Sequence, residues 1–478
     1  MILQNCIFHE DNEYEELYYR ASKTVSQEER GIFLPAGQEL STDTYMNCFD
    51  MEAWRKYTGC SEVSLCMSME GKGTLSLICE QKDGAKKVLE LSVDTGQEEI
   101  KLPEDFVTGL VYFKVHADTD MWIHRAHYRT AQKKERECRI ALVICTYKRK
   151  NYLEHILEVL KQGSGFKEEA KWLDVTVIDN ASELENDYGD YIRVFHNRNT
   201  GGSGGFSRGM DEVVENLRNF PATHVVLMDD DVELLFESFI RLRALLAYEK
   251  EEYIAEPVAG RMFRKDKPVV QYTAAEIWNG GDLRHLGWNL DMTIRHNLWK
   301  MNDNTGAEYG GWWFECYPIE FVKNNRPLPF FIHCDDVEYG LRHGGTPIIL
   351  NGIQVWHETA DYRQTPVIMY YDCRNSMIVN HRKNNDLQLT KTYESWRHRL
   401  DQVYAEGKEI NIYMVVKAFN DFLKGSKYLY HIDSEKMHKR LLKIQTGKLK
   451  NAIAWRVVVL KYKLLVIIGG KDDDWVNW

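Results

Sequence analysis

The ten cysteines (Cys6, Cys48, Cys60, Cys66, Cys79, Cys138, Cys145, Cys316, Cys334 and Cys373) include no C-x-x-C pair and no zinc-ligand spacing. That scatter excludes a zinc ribbon and a dithiol redox motif, and predicts reduced, mostly structural thiols. Proline is scarce, at 10 of 478 residues, and no internal repeat or low-complexity tract is visible. With 44% hydrophobic and 28% charged residues, the composition is that of a soluble globular protein. The start, Met1-Ile2-Leu3-Gln4-Asn5-Cys6, lacks the basic flank and long apolar stretch of a signal peptide, so the expected location is cytoplasmic. A long hydrophobic run is missing too. Residues 454–470 come nearest, but Lys461 and Lys463 interrupt them. Burial in a domain or oligomer interface, or a helix lying at the inner face of the cell membrane, fits better than a spanning helix. Positive charge is not in excess either: the formal net charge of -11 argues against a nucleic-acid partner, although residues 436–450 are locally basic.

The length predicts two or three domains. Residues 1–135 show short alternating segments, such as Gly73 to Ile78 and Leu110 to Val115, set off by turn signals at Gly71-Lys72-Gly73 and Asp83-Gly84. That pattern predicts a β-sandwich. A charged run from Thr130 to Glu137 reads as a linker. Over 136–365 strands then alternate with helices: Ile140 to Ile144, a helix from Tyr152 to Gln162, Leu173 to Asp179, Tyr191 to Phe195, a helix from about Phe206 to Asn219, and Val225 to Val232. This alternation predicts a mostly parallel sheet covered by helices, with ligands beyond the carboxyl ends of its strands. Residues 366–478 read as helical, with Tyr404 to Leu423 and Ser434 to Leu449 as members.

Chemistry concentrates at the strand ends. Val225-Val226-Leu227-Met228 runs into Asp229-Asp230-Asp231, where adjacent carboxylates repel unless a cation neutralises them. In an extended chain Asp229 and Asp231 point the same way and share one ion; a solvated acidic turn is the plainer alternative. A second acidic pair, Asp335-Asp336, follows Phe331-Ile332-His333-Cys334 and precedes helical spacing, so it reads either as a helix cap or as a general base in a cleft. His357 ends another apolar segment and reads either as a satisfied polar residue or as the third ligand that, beside two Asp residues, would complete a nitrogen and oxygen set suited to Mn²⁺ or Mg²⁺. The glycine-rich stretch Asn199 to Gly209 fits neither the P-loop nor the dinucleotide fingerprint, and reads as a structural turn or a cradle for a phosphate or sugar. Gly310-Gly311-Trp312-Trp313 reads either as core packing or, since neighbouring extended residues would face opposite ways, as a pair with one ring free to stack on a sugar.

In this order the motifs resemble the inverting GT-A glycosyltransferases of family 2, and among them the bacterial galactofuranosyltransferases that polymerise galactan. The resemblance rests on Asn199 to Gly209, Asp229-Asp230-Asp231, Trp312-Trp313, Asp335-Asp336 and Trp356-His357. It implies a multidomain chain with an N-terminal β-sandwich, a central α/β GT-A (Rossmann-like) domain and a C-terminal α-helical domain. By residue, it implies metal ligation by Asp229, Asp231 and His357, with Asp336 as catalytic base. It also implies donor contacts from Thr146, Arg149, Asp179, Asn199, Arg208 and Asp230, and sugar or acceptor contacts from Trp312, Trp313 and Asp335. The implied cofactor is Mn²⁺ or Mg²⁺, and the implied partners are a UDP-sugar donor and a glycan or lipid-linked glycan acceptor. Peripheral membrane association and a homo-oligomer stay open as further partners. The expected activity is metal-dependent, inverting transfer of galactofuranose from UDP-galactofuranose. A related transferase using another nucleotide sugar, such as a rhamnosyltransferase, is the alternative. A noncatalytic carbohydrate-binding protein with Ca²⁺ at its acidic runs is the rival from another class.

Overall fold

Period-two alternation carries the first 129 residues into two antiparallel six-stranded sheets. Ser64–Glu70 buries Leu65, Met67 and Met69 on one face of its sheet, and Gly73–Glu80 buries Leu75 and Leu77 on the inner face of the other. The two alternating segments singled out in the sequence are direct neighbours, paired from Leu110↔Glu80 to Ala117↔Gly73. The structure, a computed structural model, describes residues 1–8, 12–21, 26–28, 31–163, 172–185, 187–189, 191–359, 365–384 and 389–447. The near-membrane segment 454–470 and the end of the basic run lie outside the described residues.

The segment between sandwich and α/β region carries no regular structure, yet it is fastened: Glu135 and Arg136 donate their backbone N–H groups to Ala247 O at 3.0 and 3.3 Å. One hydrophobic core runs from the sandwich into the α/β region, taking in Leu3, Phe113, Leu142, Phe239 and Val355. A buried ion pair sits at this junction. Arg241, fully buried, donates to Glu237 Oε1 at 2.8 Å, Asn351 O at 3.1 Å and Met46 O at 2.7 Å, while Glu237 accepts from the backbone and side chain of Asn5 at 2.8 and 2.7 Å. Removing one partner leaves a charge buried without compensation. Arg241→Ala is therefore expected to cost about 3–5 kcal/mol of stability by urea unfolding; a loss below about 1 kcal/mol would contradict a structural role for this clasp.

The central sheet has Ile140–Thr146 inside it, flanked by Leu173–Asp179 and then Ile192–His196 on one side and by His224–Asp229 on the other, all parallel. Glu315–Pro318 and Val258–Ala259 continue the sheet, Glu315–Pro318 running antiparallel to both of its neighbours. The chain builds outward through two strands, then returns across Ile140–Thr146 to lay down His224–Asp229. This reversal opens a crevice at the carboxyl ends, where Cys145 is paired with Asp229.

Two helix expectations need correction. The helix foreseen from about Phe206 starts at Gly201 and ends at Glu215, followed by a 3₁₀ turn at Asn216–Arg218. The glycines that read as a turn or cradle are its first turns, and they let it lie close to the sheet. A Cβ on Gly205 would stand 2.1 Å from Cys145 Sγ, and one on Gly209 2.2 Å from Val143 Cγ1. The helix foreseen from Tyr404 to Leu423 is two helices, Thr390–Ala405 and Glu409–Phe422, separated at Gly407, whose φ of +70° ends the first. These join Pro366–Asn384, Gly425–His431 and Ser434–Gln445 around a second core that also holds Trp278, Tyr309, Phe330, Phe331 and Val337. The C-terminal helices thus pack on the segment that presents Asp335-Asp336. Among the described residues no helix is long and apolar enough to cross a membrane.

Candidate active site

The acid-ended strand stops at Asp229, and Asp230 and Asp231 form a turn. Asp229 and Asp231 do converge, but the turn brings them together rather than the strand alternation expected from the sequence. Immediately afterwards Glu233–Leu234 pairs antiparallel with Gln354–His357, matching Glu233 to Trp356, and this short ladder carries His357 back to the acids. Ligand atoms of Asp229, Asp231 and His357 all lie within 4.8 Å of one another. His357 Nε2 is 3.0 Å from Asp231 Oδ1 and 3.8 Å from Asp229 Oδ2, while Nδ1 is 2.7 Å from Glu358 O. A proton on Nδ1, donated to that carbonyl, leaves the Nε2 lone pair as the ligand. Two carboxylates and an imidazole so arranged fit a divalent cation. Asp230 turns to Arg149, whose guanidinium reaches Asp230 at 3.0 Å and Asp231 at 2.7 Å. Thr146 is buried beside Asp230.

Although 41% of the Asp229 side chain is exposed, loss of hydration outweighs the opposing charge of His357. Together with repulsion from Asp231 and Asp230, it pushes the Asp229 pKa up to about 8. His357 is also raised: burial pulls it down, but Asp231 and Asp229 outweigh that. Both groups bind protons more tightly folded than unfolded, so the stability they contribute is complete at low pH and is lost as pH rises through the folded values. A bound cation replaces the proton. Saturating Mn²⁺ is accordingly expected to raise the melting temperature more at pH 8 than at pH 6, read by differential scanning fluorimetry. An increment independent of pH, or none, would count against this metal site.

The second acidic pair is held by strained backbone. Phe331, His333 and Cys334 have φ of +76°, +66° and +63°, each costing about 1–3 kcal/mol for a residue with a Cβ. The surroundings enforce that shape from two sides. Phe331 N donates to Ser203 Oγ at 2.8 Å, and Gly201 lies so close that a Cβ there would stand 2.0 Å from Phe331 O. From the Pro366–Asn384 helix, Asn375 Nδ2 donates to Ile332 O and His333 O at 2.9 and 2.8 Å, and Arg374 Nη2 to Phe330 O at 2.6 Å. The glycine-rich helix therefore supports the strained turn. The helix Asp335–His343 starts directly after it, with Asp336 Oδ1 accepting from Val337 N at 2.8 Å. Burial, followed for Asp336 by repulsion from Asp335, raises both carboxyl pKa values, and His333 opposes the rise. His333 is itself tied to Asp372 at 2.7 Å.

Both acidic clusters line one cavity of about 850 Å³. Arg149, Asp229, Asp231, His357, Asp335, Asp336, Trp312 and Trp313 are all on its wall. The tryptophans sit in a turn, not in the extended segment foreseen, because Gly311 lets the Trp313 ring fold back to within 2.1 Å of where a Cβ would stand. Trp312 is core, edge-on to Phe206 and Tyr339; Trp313 is half-buried, with Nε1 donating to Gly260 O at 2.7 Å.

Other expected donor residues stand back from this wall. The Asp179 carboxylate accepts backbone N–H groups of Ala181, Glu183 and Leu184 at 2.9, 2.7 and 2.8 Å, shaping the loop after its strand. Asn199 Oδ1 accepts from Gly201 N at 3.0 Å. Arg208 pairs with Glu212 along the helix and is half exposed. Glu276, Tyr309, His333 and Asp372 also line the cavity and were not foreseen. His333 precedes the acidic pair and was open to notice, whereas Glu276 and Asp372 are isolated acids that carry no local signal.

Comparisons with known proteins show what the chain is similar to. Residues 8–131 match the family model described as Galactofuranosyltransferase 2 N-terminal. The chain is 24% identical over 461 residues to galactofuranosyltransferase GlfT2 of Mycobacterium tuberculosis, covering 87% of this chain and 70% of that protein. It is 24% identical over 437 residues to GlfT2 of Mycolicibacterium smegmatis, covering 82% and 65%. The chain is a glycosyltransferase related to these galactofuranosyltransferases. Among solved structures, TarS of S. aureus resembles the transferase with a TM-score of 0.37 at 12% identity, over 68% of this chain and 55% of that one. Mannosyl-3-phosphoglycerate synthase of Rubrobacter xylanophilus does so with a TM-score of 0.31 at 11% identity, over 52% and 76%. The family match spans the sandwich, while both acidic clusters of the transferase lie beyond it, in the part reached by the longer alignments.

Proposed function

We propose that the transferase moves galactofuranose from UDP-galactofuranose to a hydroxyl of a lipid-linked or polymeric cell-surface glycan, with inversion at the anomeric carbon. The observation that supports this most is the sharing of one cavity by a metal-type cluster and a separate carboxylate pair. Asp229, Asp231 and His357 would hold Mn²⁺ or Mg²⁺, which when bound neutralises the charge developing on the departing diphosphate. Asp336 takes the proton from the attacking acceptor hydroxyl, and its raised pKa makes it a base matched to neutral pH. Asp335 supports the acceptor, and Trp313 offers its half-buried ring to the sugar. Arg149 tethers the acidic turn, and with Thr146, Asp179, Asn199 and Asp230 it forms the strand-end shelf assigned to the nucleotide. Arg208 takes part only by leaving Glu212. One displacement suffices, with no covalent intermediate on the protein. We assign residues 1–135 to the sandwich, 136–365 to the GT-A unit and 366–478 to the helical unit.

A donor panel tests this reading. UDP-galactofuranose is expected to give product with a galactofuranoside acceptor in the presence of Mn²⁺, with the linkage read by NMR. Turnover of a rhamnose nucleotide donor without any from UDP-galactofuranose would favour the rhamnosyltransferase alternative. Glycan binding with no turnover of any nucleotide sugar would favour the noncatalytic one.

A further inference from the structure

A second cavity, of about 140 Å³, opens off the first. Gly281, Asp282, Asp372, Ser376 and Arg399 belong to both walls, so the two are continuous. One side is the hairpin of Glu276–Asn279 and Asp282–His285, turned by Gly280 and Gly281 at φ of +69° and +124°. The other side is the pair of helices Pro366–Asn384 and Thr390–Ala405. The hairpin tip is fastened to both helices: Asn380 Nδ2 and Ser395 Oγ donate to Gly280 O at 2.8 and 3.2 Å, and Trp278 Nε1 donates to Asn380 Oδ1 at 2.7 Å. The groove is therefore preorganised.

Its chemistry is that of a polyol site. Asp282, His398, Arg399 and Gln402 offer donors and acceptors of mixed charge. Asp282 and Asp372 disfavour a nucleotide or phosphate there, whereas uncharged hydroxyls match such a wall. A glycan whose terminal hydroxyl reaches Asp336 passes Asp372 and Ser376, and the shared wall then leads its next unit into the smaller cavity. We propose that this second cavity is an acceptor subsite, holding the sugar that precedes the reacting end of a neutral glycan chain. The proposal rests on the transferase reading above. It makes the helical region a determinant of acceptor length.

The test compares a galactofuranosyl tetrasaccharide with a galactofuranosyl monosaccharide glycoside, both with UDP-galactofuranose and Mn²⁺. Of the two cavities Gln402 lines the second and not the first, from an exposed helix position. Gln402→Trp is expected to lower the ratio of kcat/KM for the longer acceptor to that for the shorter by about tenfold, the worth of one or two hydrogen bonds to the missing sugar. His398→Ala should lower it in the same direction by about threefold. An unchanged ratio in both variants overturns the subsite, as does an equal fall for both acceptors. A wild-type enzyme that turns over UDP-galactofuranose with neither acceptor overturns the transferase reading first, and the subsite with it.

Discussion

Asp336→Asn is expected to lower transfer by about 10²–10⁴-fold while leaving Mn²⁺ and UDP binding near wild type. The amide keeps the side chain's volume, and its oxygen still accepts from Val337 N, so the helix start and the strained turn before it persist. What is lost is proton-accepting capacity at the acceptor hydroxyl. Product formation at saturating donor, together with calorimetric titration of UDP and Mn²⁺, separates the two effects. A variant with more than about a tenth of wild-type turnover would remove Asp336 from the base role. The wild-type pH profile carries the same signature. Burial and Asp335 raise the Asp336 pKa, so the base is increasingly protonated as pH falls through the neutral range, and kcat/KM falls with it. In Asp336→Asn that acidic limb should vanish from the residual rate. Asp335→Asn should shift the limb to lower pH, because repulsion by Asp335 helps to raise it.

The double substitution Asp229→Asn and Asp231→Asn is expected to abolish metal-dependent donor binding and to reduce transfer by at least about 10³-fold, since it removes the electrostatic stabilisation of the leaving group. It should have an opposite effect on the metal-free fold. Burial and repulsion from Asp231 raise the pKa values of Asp229 and Asp230, and the amides remove the desolvated charge of Asp229 and the repulsion from Asp231. The variant should melt higher than the metal-free wild type at pH 8 and no longer respond to Mn²⁺. A stabilised, inactive protein is the pattern of a site kept for function at the expense of stability. Unchanged Mn²⁺-dependent turnover would sink the assignment.

Legibility in the sequence followed the range of the interactions. Strands such as Leu173–Asp179 and Leu110–Ala117 were readable because apolar patterning is local, and the acidic runs because adjacent like charges signal their own cost. The glycine-rich stretch reads as a turn or cradle ahead of the helix, whereas it forms the helix's first turns. Glycine has low helix propensity, and the reason for it here, contact with Cys145, Val143 and Phe331, is spread over distant parts of the chain. The tryptophan pair was assigned an extended shape because nothing local reveals the folded-back ring of Trp313 over Gly311.

The sequence by itself determined the chemical inventory: an acid-ended strand, a second acid pair, a histidine at a strand end, and the order of sandwich, alternating and helical regions. Only the tertiary structure decided how these meet. Asp231 reaches Asp229 through a turn, and His357 joins them because Glu233–Leu234 pairs with a strand 120 residues later. Asp336 faces the same cavity because Ser203, Arg374 and Asn375 hold a left-handed backbone that local propensity opposes. Side-chain chemistry is a property of each residue, whereas convergence depends on packing between segments far apart in the chain, and no window of sequence contains it.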